Sequence, residues 1–271
     1  MPSKAETISS FIQSAPPGQL QNVLDDIKAL TSDEPQLTQN LTPAFKKYNE
    51  EQYTTTKLPG SSELVIVSAH NSLGSDRYFD TASNTSFSFD HASQTASSAQ
   101  SHVPDTPHAD LVKGLNAALQ KHVQEHYPSA AACGVYPSDK GVVLLTVANK
   151  YSLNNFWSGR WRATYVLDVN SGSVKGDIKV DVHYFEDGNV RLQTSKPVDV
   201  KVGSGQAAEV VRQIAAVEKR YQEELNKGFV QLNEGVFKGL RRQLPVTRQR
   251  VEWDKVGAYR LGQDIGGGRS R

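Results

Sequence analysis

Apolar residues along the first 55 positions recur at helical spacing. Ile8, Phe11 and Ile12 share one face, and Leu20, Val23, Leu24, Ile27 and Leu30 form a second three-four series after the break at Pro16-Pro17-Gly18. Ser32 or Asp33 is placed to cap a further helix with Pro35 in its first turn, and Thr42-Pro43 repeats that signal ahead of Phe45 and Tyr48. The pattern predicts three or four short helices packed together over residues 1–55. From 56 to 90 it changes to short β-rich runs: 64–68 (Leu-Val-Ile-Val-Ser), Tyr78-Phe79-Asp80 and 86–90 (Ser-Phe-Ser-Phe-Asp). Residues 91–107, rich in Ser, Ala, Thr, Gln and Pro, read as an exposed, mobile loop. Leu111, Leu115, Leu119 and Val123 then describe an amphipathic helix that stops at Tyr127-Pro128.

Residues 129–202 carry the pattern of a sheet. The run 141–148 (Gly-Val-Val-Leu-Leu-Thr-Val-Ala) is nearly all apolar, as a strand covered on both faces would be. Ile178, Val180, Val182 and Tyr184 alternate with Lys179, Asp181 and His183, a strand period of two. Asp187-Gly188 sits between two such runs and is a strong hairpin signal. A two-residue turn there sets Phe185 opposite Val190 and His183 opposite Leu192. It gathers Phe185, Val190 and Leu192 on one face and Ile178, Val180, Val182 and Tyr184 on the other. After Gly203-Ser-Gly205, the series Val210, Ile214, Val217, Tyr221, Leu225, Phe229, Leu232, Val236 and Leu240 predicts a helix from about 207 to 242, on the order of 50 Å long. One apolar stripe of that length suggests a surface shared with a second chain, and Pro245 ends or kinks the helix.

The 271 residues have a formal net charge of only +1, but that charge is unevenly placed. From Lys238 to Arg271 there are nine basic residues against three acids, a net +6, which leaves about −5 for the rest. A basic end on a slightly acidic body is a footprint for an acidic partner. A merely solvated tail would look as basic, but this one interleaves its charges with Trp253, Val256, Tyr259, Leu261 and Ile265. Cys133 is the only cysteine, so an intrachain disulfide and a cysteine metal site are both excluded, and its apolar setting reads as a small buried hydrophobe. The start of the chain lacks a secretory signal and no apolar run reaches membrane-spanning length, which places the protein in the cytosol. No phosphate-binding loop, nucleophile elbow or zinc-protease motif is present, the histidines are scattered, and His183 reads as structural. The chain is therefore not read as an enzyme.

Three stretches resemble the F-actin capping protein alpha subunit family: 155–162 (Asn-Phe-Trp-Ser-Gly-Arg-Trp-Arg), 182–190 (Val-His-Tyr-Phe-Glu-Asp-Gly-Asn-Val) and 240–248 (Leu-Arg-Arg-Gln-Leu-Pro-Val-Thr-Arg). The order of elements agrees over nearly the whole chain, with departures at 91–107 and at the Gly-rich end. The resemblance implies an α+β fold: an N-terminal helical stalk (1–55), a small β region, loop and helix (56–128), a central antiparallel sheet (129–202), a long helix across it (203–245) and a mobile amphipathic tentacle (246–271). It implies an obligate heterodimer with a beta subunit of similar fold and Ca2+-independent blocking of filament barbed ends without severing. The implied actin-binding residues are Lys238, Arg242, Arg248, Trp253, Leu261 and Ile265. It implies no cofactor, metal or nucleic acid, a cytoplasmic site at cortical actin, and control by phosphoinositides and protein regulators. The rival reading is a basic tail that serves mainly to bind anionic lipid or nucleic acid.

Overall fold

The computed structural model describes residues 2–127, 130–139, 141–186, 189–203 and 205–237. The chain divides into two units, Met1–Tyr221 and Gln222–Arg271. Among the described residues, all strands lie in the first.

Helices α1 (Lys4–Gln13), α2 (Leu20–Leu30) and α3 (Thr42–Gln52) form the stalk, with a 3-10 turn at Pro35–Thr38. Ser3 and Glu6 close a reciprocal capping box on α1. Ile8, Ile12, Leu20, Ile27, Phe45 and Tyr48 meet in one buried cluster, as their spacing predicts, whereas Phe11 and Leu30 of the same series are 54% and 81% exposed and lie outside it. The caps differ from expectation. Glu34 and Leu41 precede the 3-10 turn and α3, neither with a side-chain cap bond, so Ser32, Asp33 and Thr42 do not cap. Thr42 already lies inside α3, whose first turn is fixed by the restricted φ of Pro43.

A small hairpin, β1 (Thr55–Lys57) with β2 (Leu64–Ile66), leads to a four-stranded antiparallel sheet of β3 (Ser72–Gly74), β4 (Arg77–Asp80), β5 (Thr85–Asp90) and β6 (Thr95–Ser101). The reading of 91–107 as a mobile loop is thus corrected: residues 95–101 form a strand paired with β5, with Asp90 opposite Thr95. The turn between them is tied by the Asp90 carboxylate, which accepts from the amides of Ala92 and Ser93. β6 is an exposed edge strand, so nothing in it has to be apolar, and its composition imitates a loop.

Helix α4 (Ala109–His126) precedes the main sheet, an antiparallel meander of β7 (Ala131–Ser138), β8 (Gly141–Ser152), β9 (Trp157–Asp168), β10 (Ser173–Tyr184) and β11 (Val190–Lys201), in spatial order β11-β10-β9-β8-β7. Residues 141–149 are all buried, as their apolar run predicts. The register of the last hairpin is corrected by one residue: Tyr184 faces Val190, His183 faces Arg191 and Val182 faces Leu192. Val190, Leu192, Val182, Val180 and Ile178 therefore share one face, while Asp181, His183 and Arg191 share the other. The cause lies before the turn, where the Phe185 amide bonds the Phe156 carbonyl and extends the pairing of β10 with β9 instead of β11. Asp187 and Gly188 lie outside the described residues.

Helix α5 (Ala207–Gln231) follows Gly205, whose φ of 61° lies in the region that favours glycine. It continues as a π-helical stretch over Leu232–Phe237; the expected extension to 242 lies outside the described residues. No helix among the described residues is long and apolar enough to cross a membrane.

Candidate protein-interaction surface

The helix face of the sheet carries the first turns of α5. Val210, Val211, Ile214 and Tyr221 are buried there, and so is Glu218, only 2% exposed. A buried carboxylate needs donors. Tyr165 Oη donates to Glu218 Oε1 at 2.7 Å, and His122 Nε2, from α4, lies 2.8 Å from Oε2. Burial, and then the Glu218 carboxylate, pushes the Tyr165 hydroxyl far up, so it stays a donor. The Tyr221 ring lies 5.7 Å from that of Trp161, and its hydroxyl donates to Thr194 Oγ1 at 3.2 Å on β11. This part of α5 is thus fixed across β9 to β11. In the second unit, Phe229, Val230 and Leu232 are exposed apolar residues.

The stalk face is held by the first two resemblance stretches. Arg160 is buried and donates to three neutral acceptors: Asn149 Oδ1 at 2.7 Å, Tyr151 Oη at 2.6 Å and Gln52 Oε1 of α3 at 3.3 Å. Arg162 donates to the Glu51 carbonyl in the last turn of α3, and burial holds its guanidinium below the usual arginine range. Two cations therefore sit at the C-terminal end of a helix, where the dipole and the unpaired carbonyls favour positive charge. From the second stretch, His183 Nδ1 meets Gln19 Nε2 at 2.7 Å, and its Nε2 lies 2.9 Å from Asn189 Oδ1. Asp181 pairs with Arg191 at 2.6 Å, and Arg191 also donates to the Ser14 carbonyl at 2.5 Å. Both stretches thus staple the helical stalk to the sheet, and His183 has the structural place its strand setting suggested.

The outer side of β11 has no partner strand among the described residues, and at 12 residues it is a long open edge, interrupted by Pro197. Cys133 is half-buried, and burial followed by the nearby Asp80 raises its thiol to about 12, so it stays protonated and unreactive. No group of three metal-ligating side chains occurs among the described residues. Lys238, Arg242, Arg248, Trp253, Leu261 and Ile265, and with them the third stretch, lie outside the described residues.

The model of the F-actin capping protein alpha subunit family matches residues 8–264. The chain belongs to that family. It is 60% identical over 272 residues to the F-actin-capping protein subunit alpha of Gibberella zeae, covering 99% of each chain, and 58% identical to that of Neurospora crassa, covering all of both. The Saccharomyces cerevisiae subunit is 32% identical over 97% of each chain. Among solved structures, the homodimeric actin capping protein alpha subunit from Plasmodium berghei superposes with a TM-score of 0.71 at 22% identity, covering 91% of this chain and 98% of that one, which bears on the fold alone. The family is one of actin-capping proteins, and the mixed fold with a helix across an antiparallel sheet is the one the resemblance implied.

The sequence did not reveal the roles of Glu218, Arg160 and Asp181. Val217 fits the apolar stripe on α5 as well as its neighbour does, and only packing turns Glu218 inward. Asp181 and His183 look solvent-facing in a strand alternation, and the stalk that covers them comes from more than 160 residues away in the chain, as in the Gln19–His183 contact.

Proposed function

We propose that the chain is the alpha half of a heterodimer that binds barbed ends of actin filaments and blocks subunit addition and loss. The observation that carries this is the family match, which extends to residue 264 and so takes in the basic segment from Lys238 onward. Lys238, Arg242 and Arg248 supply charge-assisted hydrogen bonds to carboxylates on actin. Trp253, Leu261 and Ile265 supply the apolar side of the same segment. The partner is a beta subunit of similar fold, and the open edge of β11 is where its sheet joins this one. Capping is steric: no bond is made or broken, no Ca2+ is required and filaments are not severed. The complex works in the cytoplasm at cortical actin, and phosphoinositides and protein regulators act by competing for the basic segment.

The test is seeded elongation with the chain purified together with its beta subunit. Substituting Lys238, Arg242 and Arg248 together by Ala is expected to weaken capping on the order of 100-fold, since truncated charge contacts cost several kcal/mol. The melting temperature is expected to stay unchanged, and so is capping in the presence of a Ca2+ chelator. Undiminished capping by the triple variant would remove these residues from the contact.

A further inference from the structure

The far edge of the main sheet, β7, borders a groove of about 250 Å³ between α4, the β1–β2 hairpin and the 80–83 turn. On its sheet side the lining residues are Ala131, Ala132 and Cys133 of β7. The Ala130 carbonyl accepts from the Asn149 amide on β8, which fixes the parity of the ladder: even-numbered residues of β7 bond β8, and odd-numbered ones point their N–H and C=O outward. Two further observations agree. The Val135 carbonyl, on the outward side, is taken by Thr81 Oγ1 at 2.6 Å, and Pro137, which has no N–H to lose, also falls on that side. Among the described residues, the outward amides and carbonyls of Ala131 and Cys133 have no partner, and both residues line the groove.

The walls add a chemical preference. Leu64 and Val123 are apolar, Glu63 and Asp80 are the charged lining residues, and no Lys, Arg or His lines the groove among the described residues. Glu63 is exposed, whereas Asp80 is buried and accepts from both the amide and the hydroxyl of Ser83. The volume suits one or two side chains and is small for a cofactor.

We infer that this groove binds an extended peptide segment of another protein, which adds to the edge of β7 through the backbone of Ala131 and Cys133 and sets a Lys or Arg beside Glu63. Strand addition takes its affinity from main-chain hydrogen bonds and its selectivity from side-chain pockets. The edge is short, because Thr81 and Pro137 close it beyond Cys133, so the footprint is two ladder rungs. This site lies at the opposite edge of the sheet from β11 and does not depend on the capping reading.

The probe is a display library of random ten-residue peptides, selected on the full-length chain purified with its partner subunit. Enriched sequences are expected to carry a basic residue within an alternating apolar pattern and to slow amide hydrogen exchange at 131–135. N-methylation of alternate peptide residues, which leaves the protein untouched, is expected to abolish binding. Glu63→Lys, on an exposed side chain, is expected to weaken it about tenfold. The inference is overturned if no sequence is enriched, if the peptides protect another segment, or if they bind Glu63→Lys and the N-methylated form equally well. It also fails if the same amides become protected by concentration alone, because the occupant would then be a second copy of the chain.

Discussion

The two faces of the main sheet are covered by different chemistry. On the α5 face the buried side chains are mostly apolar, Val210, Ile214 and Tyr221 on the helix and Leu144, Ala163 and Tyr165 on the sheet, with a buried carboxylate at Glu218. Toward the end of the opposite face, the stalk rests on Arg160, Asp181, His183, Ser158 and Asn149, all buried and all polar. Apolar burial is strong but non-directional. A hydrogen-bonded network costs much of its own gain in desolvation, yet it fixes one geometry. The sheet therefore holds its long helix by area and fixes the placement of its stalk by direction.

The largest test of this contrast is on the helix face. Leu144 is fully buried. Leu144→Ala is expected to destabilise the complex by about 3–4 kcal/mol through a cavity, read by chemical denaturation. A loss well under 1 kcal/mol would mean that area is not what holds this face.

On the stalk face, Asp181→Ala leaves Arg191 without its carboxylate. Because Arg191 keeps some solvent access, the expected loss is about 2 kcal/mol, less than for a fully buried pair. Replacing Asp181 and Arg191 together by Leu is expected to recover most of that stability. The double variant should also loosen the stalk, seen as faster amide exchange in α1 and α2. If exchange there is unchanged, the network does not specify the geometry.

Glu218→Gln keeps an acceptor for the Tyr165 hydroxyl and removes the charge beside His122. About 1 kcal/mol is the expected cost in a thermal melt. A loss as large as that of Leu144→Ala would make the helix face polar in energetic terms and erase the distinction.

The smallest effect is a pH dependence outside the main sheet. Burial holds His91 below its ordinary value near 6.5, against the pull of Asp76 at 3.5 Å, with Lys46 and Glu50 also close. The folded state thus keeps the imidazole neutral where the unfolded chain takes up a proton. Its contribution is complete above about pH 6.5 and is lost as pH falls below that value toward the folded one. Melting temperatures between pH 7 and 5 are expected to fall less steeply in His91→Gln than in the unmodified chain.

How much of this was legible differs by element. The stalk helices, α4, the doubly buried β8 and the long α5 follow directly from apolar spacing, because each had a stripe or run to bury. β6 did not, because an exposed edge strand carries no apolar signature. The last hairpin was found but misregistered, since the Asp187-Gly188 signal says nothing of the Phe185–Phe156 bond that carries β10 beyond its pairing with β11. Resemblance identified the first two family stretches as a signature, but their work as staples became visible only when Gln19, Glu51 and Gln52 were placed against them.

The sequence by itself determined most helices and the strands with apolar faces, though not β6, and where the positive charge gathers; its resemblance also pointed to the family. The elements and the charge are properties of local spacing and composition, and the family is carried by the three motif stretches. Tertiary structure alone decided that Glu218 turns inward while Val217 stays at the margin, that Asp181 and His183 are covered, and that the outward backbone of Ala131 and Cys133 has no partner among the described residues. Each of these depends on which distant surface arrives to cover a residue, and no local pattern encodes that.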